Sequence, residues 1–275
     1  MKNEAGGARQ ACVIGSPISH TLSPRLHGFW LKQYNVPGSY TALEVRPEHL
    51  SQALNDLVAR GFAGCNITLP LKERALELMD ELDASSLAAG AVNTVVIHDG
   101  KKIGFNSDGF GFMESLKVQC PYWNEGHAVL IGAGGAARGI AAALKDAGVK
   151  EFTFINRTPE KAHKIIDDLR LPKAHVASNV PKDTSILVNC TSLGMTGQPP
   201  LELDISMLPK EAVICDIIYR PLLTMLLEDA RRRGHPVVEG LPMLLHQGRL
   251  GFRHWFGIDP AVTPALYQEI AACAK

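Results

Sequence analysis

The sequence has no surplus of either charge: 28 basic side chains balance 28 acidic ones across 275 residues. The sheath of positive charge that marks a nucleic-acid binder is missing, so no nucleic-acid partner is expected. The chain also lacks the low hydrophobicity of a disordered polypeptide, since 46% of it is hydrophobic. It has no run of about 18 apolar residues, so no membrane span is expected. Residues 1–10 are polar, without the apolar stretch of a signal peptide. The six cysteines, at 12, 65, 120, 190, 215 and 273, include no Cys-x-x-Cys pair. Free thiols in a cytoplasmic protein follow as the expectation. The ten histidines are scattered, with no pair at metal-ligand spacing in acidic company. No metal site is expected.

What is present is alternation of short β-rich runs with helical periodicity, the pattern of an α/β chain. Residues 11–15 read as a strand. Ser23 and Pro24 read as the cap and first residue of a helix, with Leu26, Phe29, Trp30 and Tyr34 on its buried side. A strand at 39–45 precedes a helix opened by Pro47 and stopped by Gly61. A third strand covers 62–68, and Pro70 opens the next helix. Asp99-Gly100 separates runs at 92–97 and 102–106, the signal of a tight hairpin, because both central residues take positive φ. The rhythm then restarts. A helix at 108–119 and a connector at 120–127 lead into a fresh β-α-β series from Ala128. Later strands read at 185–189 and 212–216, and the tail from Leu241 is helical.

The restart carries the first functional motif. Gly132, Ala133, Gly134, Gly135 and Ala136 sit on a strand-to-helix turn, with Ala137 in the third small position. Such a turn lets backbone amides approach a pyrophosphate at a helix N-terminus. A site for NAD usually places an acid about 20 residues on, against the ribose hydroxyl. Here that stretch reads Asn156, Arg157, Thr158, with Lys161 one turn further. A guanidinium and a hydroxyl in place of the acid suit a 2′-phosphate, which points to NADP(H).

Polar groups in the first half cluster in short motifs: Thr21-Leu22-Ser23, Asn66-Ile67-Thr68 with Lys72, Asn93-Thr94, and Asn106-Ser107-Asp108-Gly109. In an open α/β sheet ligands lie beyond the carboxyl ends of strands. Hydroxyls, amides, a lysine and an aspartate there suit a small polyhydroxylated ligand. By base rate a lone lysine is an exposed helix residue, and an aspartate opening a helix is a cap. Only company gives Lys72 and Asp108 a catalytic reading.

These motifs, continued by Asn189-Cys190-Thr191-Ser192, Asp216-Ile217-Ile218-Tyr219 and Gly240 through Gln247, resemble the shikimate dehydrogenase family over nearly the whole chain. The resemblance implies reversible NADPH-dependent reduction of 3-dehydroshikimate to shikimate, on the route to aromatic amino acids. It implies Lys72 and Asp108 as the catalytic pair. Thr21, Ser23, Thr68, Asn93, Tyr219 and Gln247 would complete substrate binding. Thr191, Ser192, Ile217 and Gly240 would join the glycine loop and the Asn156–Lys161 turn around the cofactor. Thr21 stands where many members carry Ser, and Ser107 where Thr is usual. One methyl is worth roughly 1–3 kcal/mol of discrimination, so shikimate and the bulkier quinate both stay open as substrates. A quinate/shikimate dehydrogenase of broader specificity, a catalytically silent ligand sensor and a folate-linked dehydrogenase are the alternatives.

The implied architecture is two α/β domains separated by a cleft. The substrate domain takes residues 1–107 plus 241–275, and a Rossmann-like NADP domain takes 108–240. A homodimer is compatible with this reading. Both ligands are anions, so a chain without net charge has to capture them by local groups rather than by a long-range field.

Overall fold

The computed structural model describes residues 8–274. Two six-stranded sheets organise them into two units. One is Met1–Ser107 with Gln247–Ile270; the other is Asp108–His246 with Ala271–Lys275.

The first unit runs β1 (Arg9–Gly15), α1 (Ser23–Gln33), β2 (Gly38–Glu44), α2 (Leu50–Ala59), β3 (Gly64–Ile67), β4 (Glu81–Leu82), α3 (Ala84–Ala89), β5 (Thr94–His98) and β6 (Lys101–Phe105). Its sheet order is β2-β1-β3-β5-β6-β4. β1 runs parallel to β2 and β3, and β5 antiparallel to both β3 and β6. Cys12 and Ile14 of β1, Cys65 and Ile67 of β3 and Val95 of β5 share a core with Leu50, Leu54 and Leu57 of α2. Spacing of four and three along α2 gives one apolar stripe, and period two along the strands gives the facing surface. Asp99 and Gly100 turn β5 into β6 with φ of 50° and 78°, the left-handed pair that the hairpin requires.

Three local expectations change. No α-helix starts at Pro70. Lys72 O accepts from Val92 N (2.9 Å), while Leu76 N turns back to Glu73 O (3.2 Å). With that carbonyl taken from outside, only a short 3-10 turn forms, at Arg74–Leu78. Pro47 likewise opens a single 3-10 turn, Pro47–His49, ahead of α2. Ser23 lies inside α1, which Leu22 caps without a side-chain bond.

The second unit runs α4 (Asp108–Gln119), β7 (His127–Ile131), α5 (Gly135–Asp146), β8 (Glu151–Ile155), α6 (Pro159–Leu169), β9 (Ala174–Val176), β10 (Ile186–Asn189), β11 (Val213–Asp216), α7 (Met225–Arg233) and β12 (Val237–Val238). All its strand pairs are parallel, in the order β12-β11-β10-β7-β8-β9. Counted within the unit this is 3-2-1-4-5-6, the doubly wound order, whose switch point lies between β7 and β10. These two strands and β11 are buried along their whole length, as a sheet covered on both faces requires.

The tail consists of α8 (Gly240–Phe256) and α9 (Pro264–Ala271). The division between the two units falls at 246/247, inside α8, instead of at the expected boundary before residue 241. Residues 271–274, expected with the substrate domain, group with the second unit instead. There Arg220 Nη2 donates to Cys273 O at 2.6 Å. The triple arginine ending α7 is held locally: Arg233 Nε meets Asp229 at 2.7 Å and Arg232 meets the same carboxylate. Trp30 and Trp255 are fully buried and donate to Ala261 O and Val95 O. They are packing residues. The six cysteines form no disulfide. No described helix is long and apolar enough to cross a membrane.

Candidate active site

Parallel β1, β3 and β6 end along one edge of the first sheet, and antiparallel β5 begins there. That edge gathers the polar motifs of this unit. After β1, Thr21 Oγ1 and Ser23 Oγ stand 3.3 Å apart, and Ser23 N also approaches Thr21 Oγ1 at 3.3 Å. After β3, Thr68 N donates to Ile14 O at 2.9 Å, and its methyl lies beside Gly15. Four residues on, the half-buried Lys72 is fixed through its own carbonyl to Val92 N. Its backbone is thereby anchored next to Asn93.

Asn93 lies at the centre of a buried hydrogen-bond network. Tyr40 Oη donates to Asn66 Oδ1 at 2.6 Å. Asn66 Nδ2 donates to Asn93 O (3.0 Å) and Thr94 Oγ1 (3.2 Å). Thr94 Oγ1 donates to Asn93 Oδ1 at 3.0 Å. Ser107 N donates to that same oxygen at 2.8 Å. Ser107 Oγ lies 3.1 Å from both Asn93 Oδ1 and Gln247 Oε1, so its single proton is shared between two acceptors. The amide oxygens of Asn93 and Gln247 are thus committed inside the protein, and each side chain presents donor chemistry through its nitrogen. Burial pushes the Tyr40 phenol well above its ordinary range, so it stays a donor. From sequence, Asn66 reads as one of the ligand-facing polar groups rather than as part of a buried network, and Tyr40 is not singled out. Asn66 had a usable signal, an amide inside a fully buried strand. Tyr40 had none beyond being an aromatic residue on a strand.

In the second unit the glycine loop follows β7 at the switch point. Gly132 has φ of 104°, and a Cβ there would lie 2.9 Å from the Thr191 methyl. Both the left-handed backbone and the approach of the loop after β10 exclude a side chain. Gly134 caps α5, and a Cβ on it would meet nothing within 4 Å. Open space therefore faces the helix start, where unpaired amides and the helix dipole favour an anion. Thr191 is held by Asn189, whose Oδ1 accepts from Thr191 N (3.0 Å) and Oγ1 (2.8 Å). Asn189 Nδ2 donates in turn to Asp216 Oδ1 at 3.1 Å. Asp216 also accepts from Thr224 Oγ1 (2.7 Å) and Ile218 N (3.0 Å). Burial outweighs these three donors and lifts its carboxyl to about 6. Ser192 is exposed beside Thr191.

The turn after β8 presents Arg157, Thr158 and Lys161 to solvent. Asn156 Nδ2 donates to Thr158 O at 2.7 Å and closes that turn. Thr158 caps α6 by position, without a side-chain cap bond. No acid stands at positions 156–158, and the set fits a phosphorylated ribose. Gly240 packs against the segment after β11, where a Cβ would come within 2.5 Å of Ile217. Tyr219 follows, largely buried, its phenol pushed up by burial. Asp108 opens α4 at 5% exposure. Its charge, with that of Asp216, adds to the burial that raises the Cys190 thiol. Of the residues read from sequence, Thr21, Ser23, Thr68, Lys72, Asn93 and Gln247 belong to the first unit. Asp108, Tyr219 and all the expected cofactor residues belong to the second.

Comparison with known proteins bears on the same segments. Residues 13–95 match the shikimate dehydrogenase substrate binding domain, 114–191 the shikimate / quinate 5-dehydrogenase domain, and 240–265 the shikimate 5'-dehydrogenase C-terminal domain. The NADP(+) shikimate dehydrogenase of Paramagnetospirillum magneticum is 48% identical over 269 residues, 95% of this chain and 98% of that protein. A crystal structure of the Thermus thermophilus shikimate 5-dehydrogenase with NADP(H) and shikimate superposes with a TM-score of 0.85 at 38% identity. It covers 97% of this chain and all of the other. A quinate dehydrogenase from Corynebacterium glutamicum in complex with NAD gives 0.88 at 26% identity, covering 96% and 99%. Three domain matches in chain order, and relatives this similar over nearly their full length, make the chain a member of the shikimate dehydrogenase family.

Proposed function

We propose that the protein reversibly reduces 3-dehydroshikimate to shikimate with NADPH, as a cytoplasmic enzyme of aromatic amino acid biosynthesis. The observation that supports this best is the first unit's sheet edge. It carries a hydroxyl pair, a backbone-anchored lysine and two amides whose oxygens are already committed. Such a surface donates to a carboxylate and several ring hydroxyls at once.

In this reading Thr21 and Ser23 hold the substrate carboxylate by charge-assisted bonds. Thr68, Asn93, Gln247 and Tyr219 hold the ring hydroxyls and fix which face is presented. The glycine loop from Gly132 to Ala136 receives the cofactor pyrophosphate, and Asn156, Arg157, Thr158 and Lys161 its 2′-phosphate. Thr191, Ser192, Ile217 and Gly240 shape the remainder of that groove. When bound, NADPH supplies the hydride to the substrate's carbonyl carbon. The Lys72 ammonium stabilises negative charge developing on the carbonyl oxygen and gives that oxygen a proton. The Asp108 carboxylate accepts a hydrogen bond from the same hydroxyl and orients the lysine. In the reverse direction the same lysine takes the proton back.

Thr21 and Ser107 favour a second reading, a quinate/shikimate dehydrogenase of broader specificity. One experiment separates the two: initial rates with shikimate and with quinate, each with NADP and with NAD. Shikimate with NADP is expected to give the highest kcat/KM. Comparable rates with quinate support the second reading, and no turnover with any pair would reject both. A homodimer without nucleic-acid partner completes the picture, checked by light scattering of the purified chain.

A further inference from the structure

The second sheet has a polar cluster at the end opposite its glycine loop. His127 starts β7, one strand length, about 13 Å, from the loop. In register beside it stands Glu151, first residue of β8. His175 on β9 pairs with Thr153, two residues further along β8 on the same face. On the other side β10 pairs with β7, and Asp183 lies three residues before β10. The order β10-β7-β8-β9 therefore lines up Asp183, His127, Glu151 and His175 along one edge. No linear spacing betrays the set, which is why the histidines looked scattered in the sequence.

The geometry is close to that of a ligand shell. His127 Nδ1 stands 3.2 Å from Asp183 Oδ1. His175 Nε2 stands 3.7 Å from Glu151 Oε1. The donor atoms of His127, Glu151 and Asp183 all fall within 4.8 Å of one another. With metal–ligand bonds of about 2.0–2.1 Å, adjacent ligand atoms of a tetrahedral zinc site are roughly 3.3 Å apart. The His127–Asp183 separation already meets that. Glu151 and Asp183 are half-buried and exposed side chains that can swing by the remaining ~1.5 Å. His127 itself is held rigidly: it is only 6% exposed, and Nε2 lies 2.8 Å from Thr153 Oγ1. An oxygen acceptor on the far ring nitrogen fixes tautomer and orientation in a metal-binding histidine, and the Thr153 hydroxyl is in place to serve as one. Two carboxylates balance a dication, and imidazole with carboxylate suits a borderline ion such as Zn²⁺.

We propose that His127, Glu151 and Asp183 form a structural site for a divalent cation of the zinc class, with His175 beside Glu151 as the nearest further imidazole, clasping the starts of neighbouring strands at the end of the sheet remote from the glycine loop. A metal on Nδ1 selects the neutral tautomer whose single proton is on Nε2, and that N–H donates to Thr153 Oγ1. None of these residues belongs to the substrate or cofactor set.

The test uses the full chain after chelator treatment, titrated with cobalt chloride and with zinc chloride. Cobalt is expected to give the visible d–d bands of a four-coordinate nitrogen and oxygen site, without a thiolate charge-transfer band. Zinc at a hundredfold excess over its Kd is expected to raise Tm by about 5 °C. Asp183→Ala, at an exposed position that folding tolerates, should weaken both responses about tenfold or more and leave turnover of shikimate unchanged. His127→Gln should abolish them. Absence of both responses in the parent chain would overturn the proposal. So would a thiolate band, or responses of undiminished affinity in Asp183→Ala.

Discussion

Ser107 Oγ lies 3.1 Å from Gln247 Oε1, joining two residues 140 positions apart in the chain. Through Asn93 Oδ1 the same hydroxyl reaches the buried Thr94, Asn66 and Tyr40 chain. Gln247 is therefore aimed by the protein before any ligand arrives. Removing the hydroxyl leaves the glutamine without its anchor, and a net hydrogen bond is worth about 1–1.5 kcal/mol. Ser107→Ala should raise the KM for shikimate roughly tenfold and change kcat little. Ser107→Thr, which keeps the hydroxyl, should restore most of the loss. Steady-state kinetics with saturating NADP decide it; an unchanged KM in the alanine variant would remove Ser107 from substrate positioning.

The turn after β8 makes a sharper statement about the cofactor. Arg157 is exposed, and the first acid after β8 is Glu160, three residues further on in the first turn of α6. Its value lies in charge-assisted bonds to a phosphate, each worth about 1.5–3 kcal/mol. Arg157→Ala should raise the KM for NADP by about tenfold to a hundredfold and leave that for NAD within a factor of two. Equal effects on both cofactors would assign Arg157 a role other than reading the 2′-phosphate.

Lys72 should separate binding from chemistry. Stabilising an oxyanion and delivering its proton matter in the transition state, not in the ground state. Lys72→Ala should lower kcat by a factor on the order of 10² to 10⁴, with the KM for shikimate changed only severalfold. A variant that turns over at near-normal rate would exclude the lysine from the reaction.

Much of this was legible in the sequence because local rules and global fold agree there. The glycine loop, the Asp99-Gly100 turn and the α2 stripe each depend on neighbours within a few residues. What was not legible depends on contacts between distant segments. The helix expected at Pro70 fails because Val92 takes the Lys72 carbonyl. The division at 246/247 falls inside α8, so no turn or breaker in the sequence marks it. Tyr40, Asn66 and Ser107 become parts of one network only when β2, β3 and the end of β6 come together. His27 of α1 is fully buried, stacked on Tyr40 at 3.9 Å, and lowered by burial to about 3, with Asn66 offsetting this in part.

Asp216 supplies a pH test of the cofactor-side scaffold. Its carboxyl is 2% exposed and raised by burial to about 6, from 3.8 in the unfolded chain. Below pH 3.8 both states are protonated, and the group contributes no pH-dependent difference. Between 3.8 and 6 the unfolded state ionises while the folded state resists, so the folded state binds more protons and stability falls as pH rises. The loss reaches roughly 3 kcal/mol above pH 6, at about 1.4 kcal/mol per pKa unit. Asp216→Asn keeps an oxygen for Ile218 N and Asn189 Nδ2, and its NH2 can donate to Thr224 Oγ1. The variant therefore retains the connections but has no charge to bury. Isothermal denaturation of both proteins from pH 4 to pH 7 should show the parent losing about 2.4 kcal/mol relative to the variant across that window. A constant difference from pH 4 to 7 would mean that the Asp216 carboxyl titrates in the folded protein as it does in the unfolded chain.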